Sequence, residues 1–250
     1  MGTATLTQFE QKCSLVSKHH RLSLHSLMCG RFFRHGVTWA DYRAWLNLVP
    51  PEDTDPPEAT YNAAPGSYQP ILRLARDGSA ELAPAMWGLV PSWWKKPLKE
   101  KTFTTFNAKS ETVAEKPVFR GAFRHHRCLV PVSGYYEWTG RAGAKTPFAV
   151  GLRNRRHFCL AGLYDVAHID GSELHSFTIL TTTPNDATAG LHHRMPVILH
   201  PSDFGRWLDT GYGKVDDLFE PFPSEDVHVW PVDPAVGNVR NNYPALIEET

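Results

Sequence analysis

Apolar residues recur along this chain with two different periods. Between Thr38 and Val49, Trp39, Tyr42, Leu46 and Val49 fall three or four positions apart, which puts them on one face of a helix, and Thr38 offers a capping hydroxyl at its start. Pro50 to Pro57 then reads as a loop. Elsewhere the pattern is short aliphatic, β-branched and aromatic runs bounded by Pro, Gly and Asp. These predict strands at Ile71–Ala75, Ala80–Val90, Cys128–Val132, Phe148–Leu152, His157–Tyr164, Leu174–Thr182, Val197–Leu199 and Val227–Val232. A short helix is expected over Pro201–Leu208. Many short strands and few helices predict an α+β fold, with a mostly antiparallel, barrel-like sheet core and peripheral helices. No repeat or clean linker interrupts 29–250, which reads as a single domain. Residues 1–28 have weak periodicity and are expected to be an extension outside it, removed from the working protein or preceding the true start.

Composition narrows the partners. The chain has 250 residues, 42% hydrophobic and 21% charged, enough to bury a sizeable core. A formal net charge of +0 supplies no global field toward nucleic acid, so binding it requires a local basic groove. No apolar run is long enough to span a bilayer and no signal-peptide core precedes Met28, so a cytoplasmic protein with no membrane partner is expected. Cysteines stand at 13, 29, 128 and 159, too far apart for a zinc knuckle or a redox pair. Cys128 and Cys159 lie in apolar strand runs and read as small buried residues. Signatures for a nucleophile elbow, a phosphate loop, a zinc-binding helix and a dinucleotide fold are missing, and neither metal nor cofactor is expected.

Cys29 stands apart, following Met28 and preceding Gly30-Arg31-Phe32. A cysteine freed at its amino terminus carries an amine and a thiol on neighbouring carbons. The amine forms a Schiff base with an aldehyde, and the thiol then closes a thiazolidine ring. An α-amine with a pKa of about 7.7–8.0 is partly neutral near pH 7. As an internal residue Cys29 has only an amide nitrogen, so this chemistry requires processing or a start at Met28.

Further segments carry polar residues in unusual company: Tyr61–Gly66, Trp87–Trp94, Phe106–Thr112, Gly134–Trp138, Leu191–Leu199 and Ala235–Asn242. With Met28–Phe32, in this order, they resemble the SRAP family, the SOS response-associated peptidases or abasic-site processing proteins. The resemblance runs from Cys29 to about Ile247, and the ordered set is far more specific than any one segment. It implies the SRAP fold and a protein that senses abasic sites in single-stranded DNA. It also implies a thiazolidine crosslink through Cys29 that protects the lesion during the DNA damage response, with Cys29 exposed by self-cleavage. Such a protein acts as a monomer, in the cytoplasm at the nucleoid or replication fork.

The residues fit these roles to different degrees. Glu137 lies among Tyr135, Tyr136 and Trp138, where desolvation favours a protonated carboxyl suited to shuttling protons; the resemblance marks it as the acid/base. Of the adjacent pair His192 and His193, which on an extended chain face opposite sides, the resemblance selects His192 to assist opening of the sugar ring. Asn107 holds an aldehyde oxygen or an amine without a charge of its own. Lys109 stands where many relatives have arginine, and it lacks the bidentate fork. Trp93 and Trp94, followed by Lys95, Lys96, Lys99 and Lys101, suit single strands, whose bases stack while phosphates pair. Arg31, Asn62 and Arg194 complete the expected DNA contacts, and Lys116, Arg120, Arg124 and Arg127 are candidates to extend a basic groove. Two other classes use the same residues: a cysteine peptidase or N-terminal-nucleophile amidohydrolase, and a non-catalytic single-strand binder.

Overall fold

The structure is a computed structural model that describes residues 30–50, 54–75, 77–141, 143–211 and 213–250. Cys29 and the extension before it lie outside the described residues. In chain order the elements are β1 (Phe32–Arg34), α1 (Trp39–Leu46), β2 (Thr60–Ala63), β3 (Tyr68–Leu74), β4 (Ala80–Trp87), β5 (Asn107–Lys109), α2 (Arg120–His125), β6 (Arg127–Val132), β7 (Gly134–Arg141) and β8 (Ala144–Leu152). They continue with β9 (Phe158–Ile169), β10 (Ser172–Thr182), β11 (Met195–Pro196), β12 (Ile198–Leu199), α3 (Phe204–Leu208) and β13 (Val227–Pro231).

Two sheets result. One is open and antiparallel, in the order β13-β8-β7-β1-β2. The other closes on itself, because β10 pairs with both β4 and β9 while β4-β3-β6-β9 complete the ring. Only the β4–β10 and β5–β10 pairings among the described residues are parallel. This is the expected α+β class, with an antiparallel, barrel-like core and few helices. Trp87 links the layers: its ring centroid lies 5.0 Å from that of Phe32 in the open sheet. Phe32, Tyr135 and Val150 share one buried cluster with Trp87, Phe106, Phe177, Ile179 and Met195. On the alternate positions of the barrel strands, Leu129, Ala161, Leu163 and Leu180 pack against Tyr42 of α1, Phe123 of α2 and Trp207 of α3.

Where the elements differ from the sequence pattern, local causes are visible. Helix α1 begins with a capping box between Thr38 and Asp41 and ends at Leu46, not Val49. Asn47 adopts a left-handed cap at φ 52°, its N–H donating to the Arg43 carbonyl. That turn buries Leu48 and leaves Val49 in solvent. Strand β4 stops at Trp87 because Gly88, at φ 131°, turns the chain out of the sheet. Strands β9 and β10 run on to a tight hairpin at Asp170-Gly171, both with positive φ, the turn that matches strand twist. Strands β1, β2, β5, β7 and β11 and helix α2 fall outside the expected elements; Cys128 and Cys159 are buried free thiols, as expected.

Candidate active site between the two sheets

The motif around Glu137 is built by close packing of β1 on β7. Gly134 faces Phe33, and a Cβ there would lie 2.2 Å from Phe33 Cζ, so only glycine lets the two strands meet. Along β7 successive side chains alternate in direction. Tyr136 joins Phe33, Val236 and Leu246 on one face, its hydroxyl donating to the Tyr61 carbonyl at 2.8 Å. Tyr135 lies on the other face, in the cluster shared with Phe106 and Ile179. Glu137, two residues on, shares that face and is buried. The register Phe32↔Tyr135, with the Tyr136 N–H on the Arg31 carbonyl, places Gly30 across from Glu137. Thus the chain that leads out of Cys29 passes beside Glu137.

Asn107 and His192 come from the barrel sheet. Asn107 opens β5, which pairs with β10 at Ile179, next to Phe106, whose carbonyl accepts the Trp87 indole N–H. His192 lies in a turn held by its N–H on the Thr188 carbonyl, with Leu191 packed against the shared core. The turn corrects the extended-chain expectation for the histidine pair. The rings of His192 and His193 lie side by side, centroids 4.2 Å apart. The Arg194 amide N–H donates to His192 Nδ1 at 3.1 Å, which leaves the ring hydrogen of a neutral imidazole on Nε2. Nε2 is buried and has no hydrogen-bond partner among the described residues. Burial, then the charges of His193, Lys145 and Arg194, hold the imidazole below its ordinary pKa, with the Arg194 N–H as the one opposing influence. Near pH 7 His192 is therefore a neutral donor. The influence of Lys145, which pairs with Gly140 at the tip of the β7–β8 hairpin, also brings the His192 turn within electrostatic reach of the open sheet.

The expected cations divide. Arg31 donates to Asn62 Oδ1 at 2.7 Å and to the carbonyls of Val236 and Gly237, and stacks over Trp138. Asn62 is buried, and its NH₂ reaches the carbonyls of Val236, Asn238 and Asn241. Arg194 is buried, forked against Glu111, with a further bond to the Thr181 carbonyl at 2.5 Å. Arg31 and Arg194 thus turn their terminal NH₂ groups, and Asn62 its carboxamide, onto acceptors and donors of the protein itself, while Arg194 Nε is buried without a hydrogen-bond partner among the described residues. Lys109 and Trp93 are exposed, while Trp94 is half-buried against Phe103. Arg127 does not extend a surface groove: it is buried between Phe123 and Trp207. Glu111 was missed by sequence reasoning although it stands inside the Phe106–Thr112 segment; its signal was the unpaired motif arginine that it neutralises. Among the described residues no group of three His, Cys, Asp or Glu could hold a metal ion, and no helix is long and apolar enough to cross a membrane.

Glu137 on the open sheet, Asn107 on the barrel sheet and the His192 turn thus each adjoin residues of the core cluster that the two sheets share. Residues 28–239 match the family SOS response associated peptidase (SRAP), and the chain belongs to that family. It is 35% identical over 232 residues to the abasic site processing protein YoqW of Bacillus subtilis, covering 88% of this chain and 99% of that protein. The abasic site processing protein HMCES of Xenopus tropicalis is 30% identical over 258 residues, covering 87% of this chain and 77% of HMCES. An X-ray structure of a protein from Bacteroides thetaiotaomicron superposes with a TM-score of 0.69 at 26% identity, covering 87% of this chain and 92% of that one.

Proposed function

We propose that this protein processes abasic sites in single-stranded DNA by linking itself covalently to the lesion through Cys29. The observation that carries the reading is the register of β1 on β7, which brings the chain leaving Cys29 alongside buried Glu137. Hydrolysis of the Met28–Cys29 bond, or a start at Met28 followed by loss of that methionine, frees the amine. The amine nitrogen adds to C1′ of the ring-opened sugar, and the resulting carbinolamine loses water to give an imine. The Cys29 sulfur then bonds to the imine carbon while its proton passes to nitrogen, closing the thiazolidine. Glu137 carries protons between the amine and the departing hydroxyl. His192, a neutral donor at Nε2, supplies a hydrogen bond to the sugar oxygen as the ring opens. Asn107 orients the reacting groups. Arg31 and Asn62 hold the strand that presents Cys29, and Arg194 holds the His192 turn, so their effect on the strand is through position and field. Trp93 and Lys109 touch DNA directly, and the protein acts as a monomer.

The test is a single-stranded oligonucleotide with one abasic site, incubated with the protein and run on a denaturing gel. A heat-stable shifted band that vanishes in Cys29→Ala, from protein whose intact mass begins at Cys29, is expected. Crosslinking by protein that retains the residues before Cys29 would overturn the aminothiol step. Cleavage of unrelated peptides without any crosslink would make the protein a peptidase instead.

A further inference from the structure

We propose that an aromatic-walled pocket at the end of β8 docks the acidic C-terminus of a partner protein, with the last apolar side chain in the pocket and the terminal carboxylate on Arg155. This is a binding activity separate from the abasic-site chemistry. The pocket encloses about 230 Å³ where β8 ends and β9 begins, beside α1, α3 and the end of β12. That is below the roughly 300–1,000 Å³ of pockets that enclose a whole small molecule, and it suits one large side chain.

The walls are apolar and set by the fold. Trp45 of α1, Phe158 of β9, Phe204 of α3 and Phe222 line the pocket with Leu152 and Leu199. Phe158, Leu199 and Phe204 are buried. The Trp45 ring stands edge-on to Tyr42, centroids 5.5 Å apart, and the Phe222 carbonyl accepts the Asn185 NH₂ at 2.6 Å. A pocket formed in advance asks little ordering of the protein when it is filled.

One guanidinium enters this lining. Arg155 Nη2 donates to His200 Nε2 at 2.8 Å. That bond needs an imidazole lone pair, so His200 is a neutral partner and leaves the Arg155 charge uncancelled. Arg153 and Arg156 are exposed on the same loop. None of the three has an acidic partner within ion-pair distance among the described residues. Nearby carboxylates face other groups: Asp226 lies 3.5 Å from Asn154 Nδ2, and Asp41 accepts the Thr38 N–H and hydroxyl. The loop is pinned at both ends, by the Arg153 N–H on the Asp226 carbonyl at 2.8 Å and by His157 Nδ1 at 3.1 Å from the Ser133 hydroxyl.

Charge and shape together select the occupant. Three unneutralised arginines around an apolar hollow are complementary to a run of carboxylates that ends in a large apolar side chain. Because Arg155 lines the pocket itself, the carboxylate it meets belongs to the residue that fills it, as the α-carboxylate of a chain end does. A nucleobase fits less well, since the donors and acceptors on its edge would face walls that cannot pair with them. The pocket is also clear of the candidate active site. Glu137 pairs with Phe148, and Leu152 stands four residues further along β8, roughly 14 Å away. A docked chain end therefore leaves Glu137 free.

The experiment measures fluorescence anisotropy of a short labelled peptide, rich in aspartate and ending in phenylalanine, with the full chain. Saturable binding is expected. Amidating the peptide's C-terminus should weaken it about tenfold, and replacing the final phenylalanine by glycine about thirtyfold or more. Arg155→Gln should weaken the free-acid peptide about tenfold and bind acid and amide alike. Arg153→Gln/Arg156→Gln should flatten the salt dependence. Trp45→Ala should weaken binding about fivefold or more; if it does not fold, Arg155→Gln and the peptide forms decide. Arg141→Gln, the same change at the other end of the β7–β8 hairpin, should bind as wild type does. No saturable binding, equal affinity for acid and amide, or equal affinity for the phenylalanine and glycine forms overturns the proposal. So does a single-stranded oligonucleotide that displaces the labelled peptide as well as unlabelled peptide does, which would make the arginines a DNA surface. Arg155→Gln should crosslink an abasic oligonucleotide at the wild-type rate; a lost rate would place the pocket in the reaction and overturn it too. The two readings fail separately, because Cys29→Ala should bind the peptide unchanged, and a chain that crosslinks without binding the peptide loses the docking site alone.

Discussion

Arg31 and Arg120 carry the same charge and meet opposite surroundings. Arg31 is locked to Asn62 Oδ1 and two backbone carbonyls from a segment some 205 residues away, and its face is covered by Trp138. Arg120 stands on a short helix with water around it. Arg194 follows Arg31, being buried and forked on Glu111; Arg124 and Lys109 follow Arg120. A guanidinium bonded to acceptors of the protein is difficult to redirect toward a phosphate, since each bond given up leaves an acceptor without its donor. A solvated one needs only to shed counterions. On the proposed function, the motif arginines act by holding structure, and the solvated surface cations are the ones free to meet a strand.

This division predicts that chemistry and affinity separate under mutation. Glu137→Gln keeps the shape of the buried side chain and removes its proton exchange. Crosslinking should slow by about 10²–10⁴, the usual range for a general acid–base, with single-strand affinity within about twofold. Rate measured by denaturing gel and affinity by anisotropy decide it. An equal loss in both would mean that the inner residues bind DNA after all.

Arg31→Ala is the next largest effect, and it should appear in stability. Losing hydrogen bonds from a charged donor to Asn62 and the Val236–Gly237 carbonyls should cost about 2–3 kcal/mol in urea unfolding. Arg120→Ala should stay within about 0.5 kcal/mol. If the two variants are equally stable, Arg31 is not the structural clamp that its partners describe.

Glu111→Gln probes the other inner arginine. Arg194 would keep an acceptor but lose the opposite charge, so its field on His192 would strengthen. The His192 titration, followed by NMR, should move further below its ordinary value, because Arg194 already acts in that direction. Crosslinking should fall while unfolding changes only modestly. A merely structural Glu111 would leave the titration where it was.

How much of this was legible beforehand depended on where the partners lie in the chain. The long strands carry their own signal: Cys128–Val132 is a continuous apolar run and Leu174–Thr182 is rich in β-branched and aromatic residues, and both form strands as expected. The Asp170-Gly171 pair was a readable hairpin signal that would have extended β9 and β10 correctly. Strands β1, β2 and β5 are three or four residues long and exist only through neighbours distant in sequence. Helix α2 has no side-chain cap and contains Gly121, so its pattern is faint. The motif segments were legible, but the internal acceptors of Arg31 and Arg194 were not. A guanidinium beside proposed catalytic residues looks the same on paper whether it points at a phosphate or at a carbonyl.

The pH dependence sharpens the same contrast. Burial holds His35, His157 and His192 below the ordinary histidine value, with nearby cations adding to it. Their stabilising influence is complete above about pH 6.5, where neither state is protonated. As pH falls below that, the unfolded chain takes up protons first, so folding stability declines toward acid. The urea midpoint should drop between about pH 7.5 and about pH 5.5, and His157→Gln should drop less. A midpoint that rises toward acid would mean that these imidazoles are stabilised as cations.

Lys109 gives the smallest effect and the finest cut. It is exposed at the end of β5, close enough to Glu111 to draw that carboxyl's pKa down, after the Arg194 hydrogen bond that dominates it. Lys109→Ala should leave stability within about 0.5 kcal/mol. It should lower the salt slope of single-strand binding by roughly 0.7, one phosphate contact. Lys109→Arg should restore the slope and tighten binding, because a planar fork holds a phosphate at two points where an ammonium holds it at one. A Lys109→Ala slope equal to wild type would mean that Lys109 does not touch the strand.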